Sequence, residues 1–405
     1  MPNGRGGFKK AKLKHAFAHP LTFAQLNCNG LLEHPRHCRH GLNGRYDFEN
    51  LKDDNKQPRK ITDDSLCACA NVEALRGSCP KPSELERAIE RLCEHVLEEQ
   101  YHLVYLSECW IYGEDKEGTK PLEGHMIKDW FERFGVTRKY RTYYALQHRH
   151  WNSKDTAWNG NVVLVHKDVQ EPVHLRRHQE SLKLSNHNSN QGRVLELEFP
   201  DGFFVLCTYV PFSGFNNRFS RNTRKINLRK TFDKAVRTRL EVLKSKNKKV
   251  VWCGDLNCSP EALDHFMGDP AYFAEYTNSM STKDKEDYIE NVDDRGYWGY
   301  TTNERTRFKE TITSFNGVDA FRHLHPFDRK YTQSSGTRWD HFIISKELVP
   351  RLKACQIFPE KKFLSDHCLV TMKLSLEKIE TTTTTTTTMA AVEGMSMLDV
   401  LRSKK

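Results

Sequence analysis

No run of about 18 consecutive apolar residues occurs in the 405-residue chain, so no membrane-spanning helix is expected. The opening segment carries Lys9, Lys10, Lys12 and Lys14 but no apolar stretch behind them, so it lacks the pattern of a secretory signal. Residues 1–20 read instead as a flexible basic arm, compatible with a nuclear address. Without an export signal, the twelve cysteines are expected to be free thiols in a reducing compartment. Several, such as Cys207, Cys253 and Cys368, lie inside apolar runs, where a thiol packs as a small hydrophobe. A further lack is regular periodicity between about Glu33 and Pro82, which marks that stretch as a surface insertion. Its His34, His37, Cys38, His40, Cys67, Cys69 and Cys79 match no zinc-ligand spacing, so they are read as loop residues without metal.

What the chain does have is core material. Hydrophobic residues make up 37% and aromatics 11%, enough for one large domain, placed at residues 21–378. Lys and Arg number 63 against 53 Asp and Glu, and the resulting charge of +10 suits a polyanionic partner such as nucleic acid. Eight consecutive threonines, Thr381–Thr388, place a low-complexity linker at 379–388, followed by a tail at 389–405.

Within the domain, Phe23–Leu32 reads as a strand running into an Asn-x-Asn-Gly turn. Ser83 opens a helix, with Glu86 placed as in a capping box and Leu85, Ile89, Leu92 and Val96 on one face. A strand over His102–Ser107 follows and ends at Glu108. Asn161–Val165, Phe203–Val210, Lys249–Cys253, His341–Ser345 and Cys368–Leu376 read as buried strands, and Arg224–Lys246 as a long amphipathic helix. Strands alternating with helices, with polar residues at strand ends, indicate an α/β architecture.

Polar residues collect at those ends. Asp255 and Asn257 follow the Lys249–Cys253 strand within Gly254-Asp255-Leu256-Asn257, and Ser365-Asp366-His367 precedes the last strand. Taken singly each has a bland reading: Gly, Asp and Asn form turns, Glu108 is a solvated strand end, and Asp319 begins a helix. Their joint occurrence, in order and at strand termini, is what carries information.

Asn27-Cys28-Asn29-Gly30, Glu108, Tyr209-Val210-Pro211, Gly254–Asn257, Asp319–Leu324 and Ser365–His367 resemble the ordered motifs of the endonuclease/exonuclease/phosphatase superfamily. Asp319–Pro326, Gly299–Phe308 and Leu364–Leu369 resemble, more narrowly, exonuclease III and the apurinic/apyrimidinic (AP) endonucleases. The resemblance covers residues 23–32 and most of 83–376. It implies a four-layered α/β sandwich of two mixed sheets packed face to face with helices outside. It further implies Mg²⁺-dependent hydrolysis of DNA phosphodiesters (Mn²⁺ substituting), with incision 5′ to abasic sites, processing of 3′ ends, and a role in base excision repair. The implied partner is double-stranded, damaged DNA, and the implied state is a monomer.

On this resemblance Glu108, Asn29 and Asp366 are the metal residues. Asp319 is expected to orient His367, and Asp255 rivals His367 as the base, a choice the sequence leaves open. Asn257 places water and phosphate, Tyr209 touches the phosphate or the leaving oxygen, and Asn27 completes the pocket. Arg218, Arg221, Arg224, Lys225, Arg229 and Lys230 form a basic run expected to meet the DNA backbone. Three positions depart from the family pattern: Asn29 replaces an Asp, Phe212 replaces a polar residue, and the Tyr331–Trp339 connection is short. The alternatives are a superfamily enzyme acting on RNA, inositol or lipid phosphates, and a non-catalytic nucleic-acid-binding module. In the tail, Met395, Leu398 and Leu401 vaguely resemble a sliding-clamp docking peptide.

Overall fold

The computed structural model describes residues 20–28, 82–109, 126–146, 160–185, 190–214, 223–268, 299–363 and 365–375. The basic arm, the 33–82 insertion apart from Pro82, the threonine linker and the tail with its proposed docking residues lie outside them, as do Asn29, Arg218 and Arg221.

The described strands are β1 (Leu21–Asn27), β2 (Leu103–Ser107), β3 (Tyr140–Ala145), β4 (Asn161–His166), β5 (His174–Arg176) and β6 (Val194–Glu198). They continue with β7 (Phe203–Thr208), β8 (Lys249–Asp255), β9 (Gly317–Asp319), β10 (Asp340–Ser345), β11 (Leu352–Phe358) and β12 (Leu369–Leu374). Among the described residues they form two six-stranded mixed sheets, ordered β11-β12-β1-β2-β4-β3 and β5-β6-β7-β8-β10-β9. Each sheet has one parallel pair at its centre, β1 with β2 and β7 with β8.

Central strands buried on both faces explain the near-continuous apolar runs of the sequence. With side chains alternating along each strand, Phe23, Tyr105, Val205, Cys207, Val251 and Cys253 fill the space between the sheets. The opposite set of the first sheet, including Ala24, Leu26, Val104 and Leu106, meets α1 (Pro82–Glu99), α2 (Met126–Arg133) and α3 (Val136–Lys139). Beyond α4 (His178–Leu182), the outer set of the second sheet meets α5 (Thr223–Ser245) and α6 (Thr302–Ser314). There Phe232, Val236, Leu240 and Phe308 cover Phe204, Leu206, Val250 and Trp252. This is the four-layered sandwich expected from the motifs.

The helix expected from Ser83 starts one residue earlier, at Pro82, and Glu86 pairs with Arg133 of α2 at 2.6 Å. A last short helix, α7 (Ala320–Leu324), is capped by Asp319, whose carboxylate accepts the Arg322 N–H. The Tyr331–Trp339 connection folds on itself, with Thr332 N–H donating to the Thr337 carbonyl at 2.9 Å.

Candidate active site

Parallel pairing brings the carboxyl ends of β1 and β2 together, with Asn27 in register with Ser107. Glu108 follows in the left-handed region at φ 50, and this turn directs its side chain across to the second sheet, where the Tyr209 hydroxyl donates to it. Burial raises the Glu108 pKa against the pull of Tyr209 and His367, and nearby Asp366 raises it further. Burial and Glu108 together push the Tyr209 hydroxyl well above its ordinary value, so that it stays a donor.

From the second sheet, β8 ends in Asp255. Asn27 Nδ2 donates to Asp255 Oδ2 at 2.8 Å, across the two sheets, and the Asn257 N–H donates to Asp255 Oδ1 at 2.9 Å. Asn257 Nδ2 donates in turn to the Val210 carbonyl at 2.9 Å, joining the segments that follow β7 and β8. Burial and the neighbouring Asp340 carboxylate raise the Asp255 carboxyl to about 7.

Asp340 opens β10 directly opposite Asp255 in the antiparallel register. Its Oδ2 lies 2.7 Å from His367 Nδ1. Burial alone would lower the imidazole, but Asp340, with help from Asp255, holds it up at about 10. His367 is fixed by its backbone as well: its N–H donates to Ser365 Oγ at 3.1 Å, and that hydroxyl donates to the Asn27 carbonyl at 2.6 Å. Thr332 Oγ1 accepts the N–H groups of Trp339 and Asp340 at 3.0 and 3.1 Å, setting the start of β10.

The structure therefore brings together Asn27, Glu108, Tyr209, Asp255, Asn257, Asp366 and His367, but gives His367 a different partner from the one expected. Asp319 is held by Arg338 Nη2 at 2.8 Å and lies 3.3 Å from His341 Nδ1. Arg338 is fully buried, and its guanidinium also makes a bidentate pair with Asp264 at 2.7 and 2.9 Å. Burial would raise the Asp319 carboxyl, yet Arg338 and His341 hold it far below the usual carboxylate range. Asp319 thus serves a buried cation and a helix cap, and Asp340 orients His367. The signal for Asp340 was present, a carboxylate at the start of the strand read over His341–Ser345.

Of the basic run, Arg224 and Lys225 stand on the exposed first turn of α5. Arg229 does not face outward: it is buried with 1% exposure. Phe212 packs against Trp339 at a ring distance of 5.9 Å, and Trp339 lies 6.4 Å from the His367 ring.

Among the described residues no three His, Cys, Asp or Glu side chains form a ready-made metal cage. Mg²⁺ does not require one, since it is held through one or two carboxylates and keeps several waters. The Asp366 charge raises the Glu108 carboxyl, and a hard divalent cation would relieve that repulsion, so the residues fit such an ion.

The model of the endonuclease/exonuclease/phosphatase family matches residues 69–367. The chain belongs to this family. Within the family it is 32% identical over 248 residues to a DNA-(apurinic or apyrimidinic site) endonuclease of Arabidopsis thaliana, covering 56% of this chain and 62% of that protein. A protein of the same name from Plasmodium falciparum is 28% identical over 277 residues, covering 59% of this chain and 40% of the other. The chain thus spans less than two thirds of the length of these relatives. An AP endonuclease structure from Leishmania major has a similar fold, with a TM-score of 0.54 at 18% identity over 89% of both chains.

Proposed function

We propose that this member of the family is a Mg²⁺-dependent DNA phosphodiesterase that incises 5′ to abasic sites and processes 3′ ends. The observation that carries the reading is the convergence of Asp255, Asn257, Asn27, Tyr209 and Glu108 with the Asp340–His367 pair. Named AP endonucleases among the relatives, and the net charge of +10, support DNA as the substrate.

With its ring held protonated, His367 donates to a phosphate oxygen and stabilises developing negative charge. Asp255, with its carboxyl raised toward neutrality, is then the base. It takes the proton of a water whose oxygen bonds to phosphorus as the P–O3′ bond breaks, and the departing 3′-oxygen takes a proton from solvent, leaving a 3′-hydroxyl and a 5′-phosphate. Asn257 and Asn27 fix the Asp255 carboxylate, and Tyr209 keeps Glu108 in place. Glu108 and Asp366, with Asn29 from outside the described residues, would hold Mg²⁺, which offsets charge on the phosphate.

The test is incubation, with Mg²⁺ and with chelator, against duplexes carrying an abasic analogue, a nick or no lesion, and against RNA. Incision at the analogue that needs Mg²⁺ is expected. Cleavage of RNA alone, or of nothing, would overturn the reading.

A further inference from the structure

Arg229 belongs by sequence to a basic run that suggests backbone contacts with DNA, yet its guanidinium points into the protein and meets the site from behind. Arg229 Nη1 donates to the carbonyls of Pro211 at 3.3 Å and Asn257 at 2.9 Å, and Nη2 donates to that of Leu256 at 3.0 Å. Pro211 lies two residues after Tyr209, and Leu256 and Asn257 follow Asp255. One planar cation therefore spans the segments that leave two neighbouring parallel strands.

The charge is kept there deliberately by its surroundings. Nε donates to Asp233 Oδ1 at 2.8 Å, and Glu304 lies 3.9 Å from Nη1. Burial would lower the guanidinium, but Asp233 and Glu304 outweigh it. Both carboxylates are anchored in turn. Asp233 accepts from Arg307 Nε at 2.9 Å, while Glu304 caps α6 through Thr301 and accepts from the Ser213 hydroxyl.

Asn257 is the residue that needs such support. Its φ of 47 is a left-handed conformation, which asparagine tolerates better than other non-glycine residues but which no regular backbone ladder holds. It must hold that conformation for its N–H to reach Asp255 and its carboxamide to reach the Val210 carbonyl. The Arg229 bonds to the carbonyls of Leu256 and Asn257 fix the peptide units on both sides of it.

We propose that Arg229 is a positioning residue of the phosphodiesterase site, a buried clip that sets Asn257 and Tyr209 side by side and keeps the Asn257 N–H on Asp255. The proposal rests on the phosphodiesterase reading above. A lysine cannot replace the clip, because a single ammonium on a flexible stem does not reproduce a planar fork reaching three carbonyls.

Arg229→Lys and Arg229→Met test it, assayed well below each variant's melting temperature on an abasic duplex at saturating Mg²⁺. In both, kcat should fall by roughly tenfold to a hundredfold, the range that follows small misplacements of reacting groups, with KM for DNA little changed. The dependence of KM on salt should also match the parent. A parental kcat in the folded variants would overturn the proposal. So would a raised KM whose salt slope is reduced by about one contact, since that is the signature of an arginine on a phosphate. Hydrogen exchange at the Asn257 amide gives a readout independent of turnover. It should accelerate in both variants while amides of the central strands keep their protection, and unchanged Asn257 protection would overturn the clip. If the parent proves inactive on every duplex, the phosphodiesterase reading fails by itself, and the exchange result still decides whether Arg229 positions Asn257.

Discussion

At the scale of single residues, the site packs the Asp255 and Asp340 carboxylates and the His367 imidazole into a buried space. Asp255 and Asp340 face each other across β8 and β10, where like charges oppose pairing, and the charged His367 ring offsets both. Because Asp340 and His367 act as one unit, Asp340→Asn and His367→Ala should each lower kcat by about 10²–10⁴, and the double variant should be little worse. Simple additivity in measured kcat would count against the pair. Asp319→Asn should behave differently. It leaves Arg338 short of a charged partner, so denaturant unfolding should show a loss of about 3 kcal/mol, with kcat much less affected.

The same charges give a pH dependence of stability. The folded His367 ring is raised from 6.5 to about 10, so its contribution is complete below pH 6.5 and is lost as pH rises toward 10. The raised Asp255 carboxyl adds a loss in the same direction over the lower window from 3.8 to about 7. Thermal melts in chelator should therefore show a falling midpoint from pH 6.5 to 10, and His367→Gln should flatten that slope. An equally steep slope in the variant would dismiss the assignment.

At the scale of elements, the end of β8 depends on a close backbone approach. Gly254 has φ 133, and a Cβ there would lie 1.9 Å from the Thr208 carbonyl oxygen and 2.8 Å from the Tyr105 ring. Gly254→Ala must push β7 from β8 and shift Asp255, so a loss of about 3 kcal/mol or more in denaturant unfolding is expected, with kcat reduced as well. The short turn from Thr332 to Thr337 bears on selectivity. Selectivity for an extruded nucleotide depends on how well its pocket fits, and here the compact turn and the Phe212–Trp339 contact lie beside His367. A smaller ratio of abasic incision to 3′-end processing than in long-loop relatives is expected, and side-by-side assays showing near-exclusive abasic incision would refute it.

At the scale of the molecule, face-to-face packing of the sheets carries the site. Asn27 and Glu108 come from one sheet and Asp255, Asn257 and Tyr209 from the other, so the Asn27–Asp255 and Tyr209–Glu108 bonds join them across the interface. Every residue of this set lies before Glu380 in the chain. A chain cut after Glu380 should keep its incision rate on a short abasic duplex, and a large loss in kcat would assign the tail a part in the reaction.

The sequence by itself determined the central strands, the long helices α1 and α5, the family, and most of the polar residues at strand ends. Those strands are buried on both faces, so their composition announces them. The short edge strands β5 and β9, three residues each, were less legible, and so was β6 beside β5, which carries the buried Glu196, neutralised by Arg176 and Arg239 from elsewhere in the chain. Pairing between distant side chains was decided only by the tertiary structure. Asp319 and Asp340 look alike in sequence, and the buried Arg338 assigns one to itself and leaves the other to His367. Arg229 looks like any exposed basic residue until α5 is laid on its sheet, because the direction a side chain faces depends on what covers its helix and not on its own chemistry.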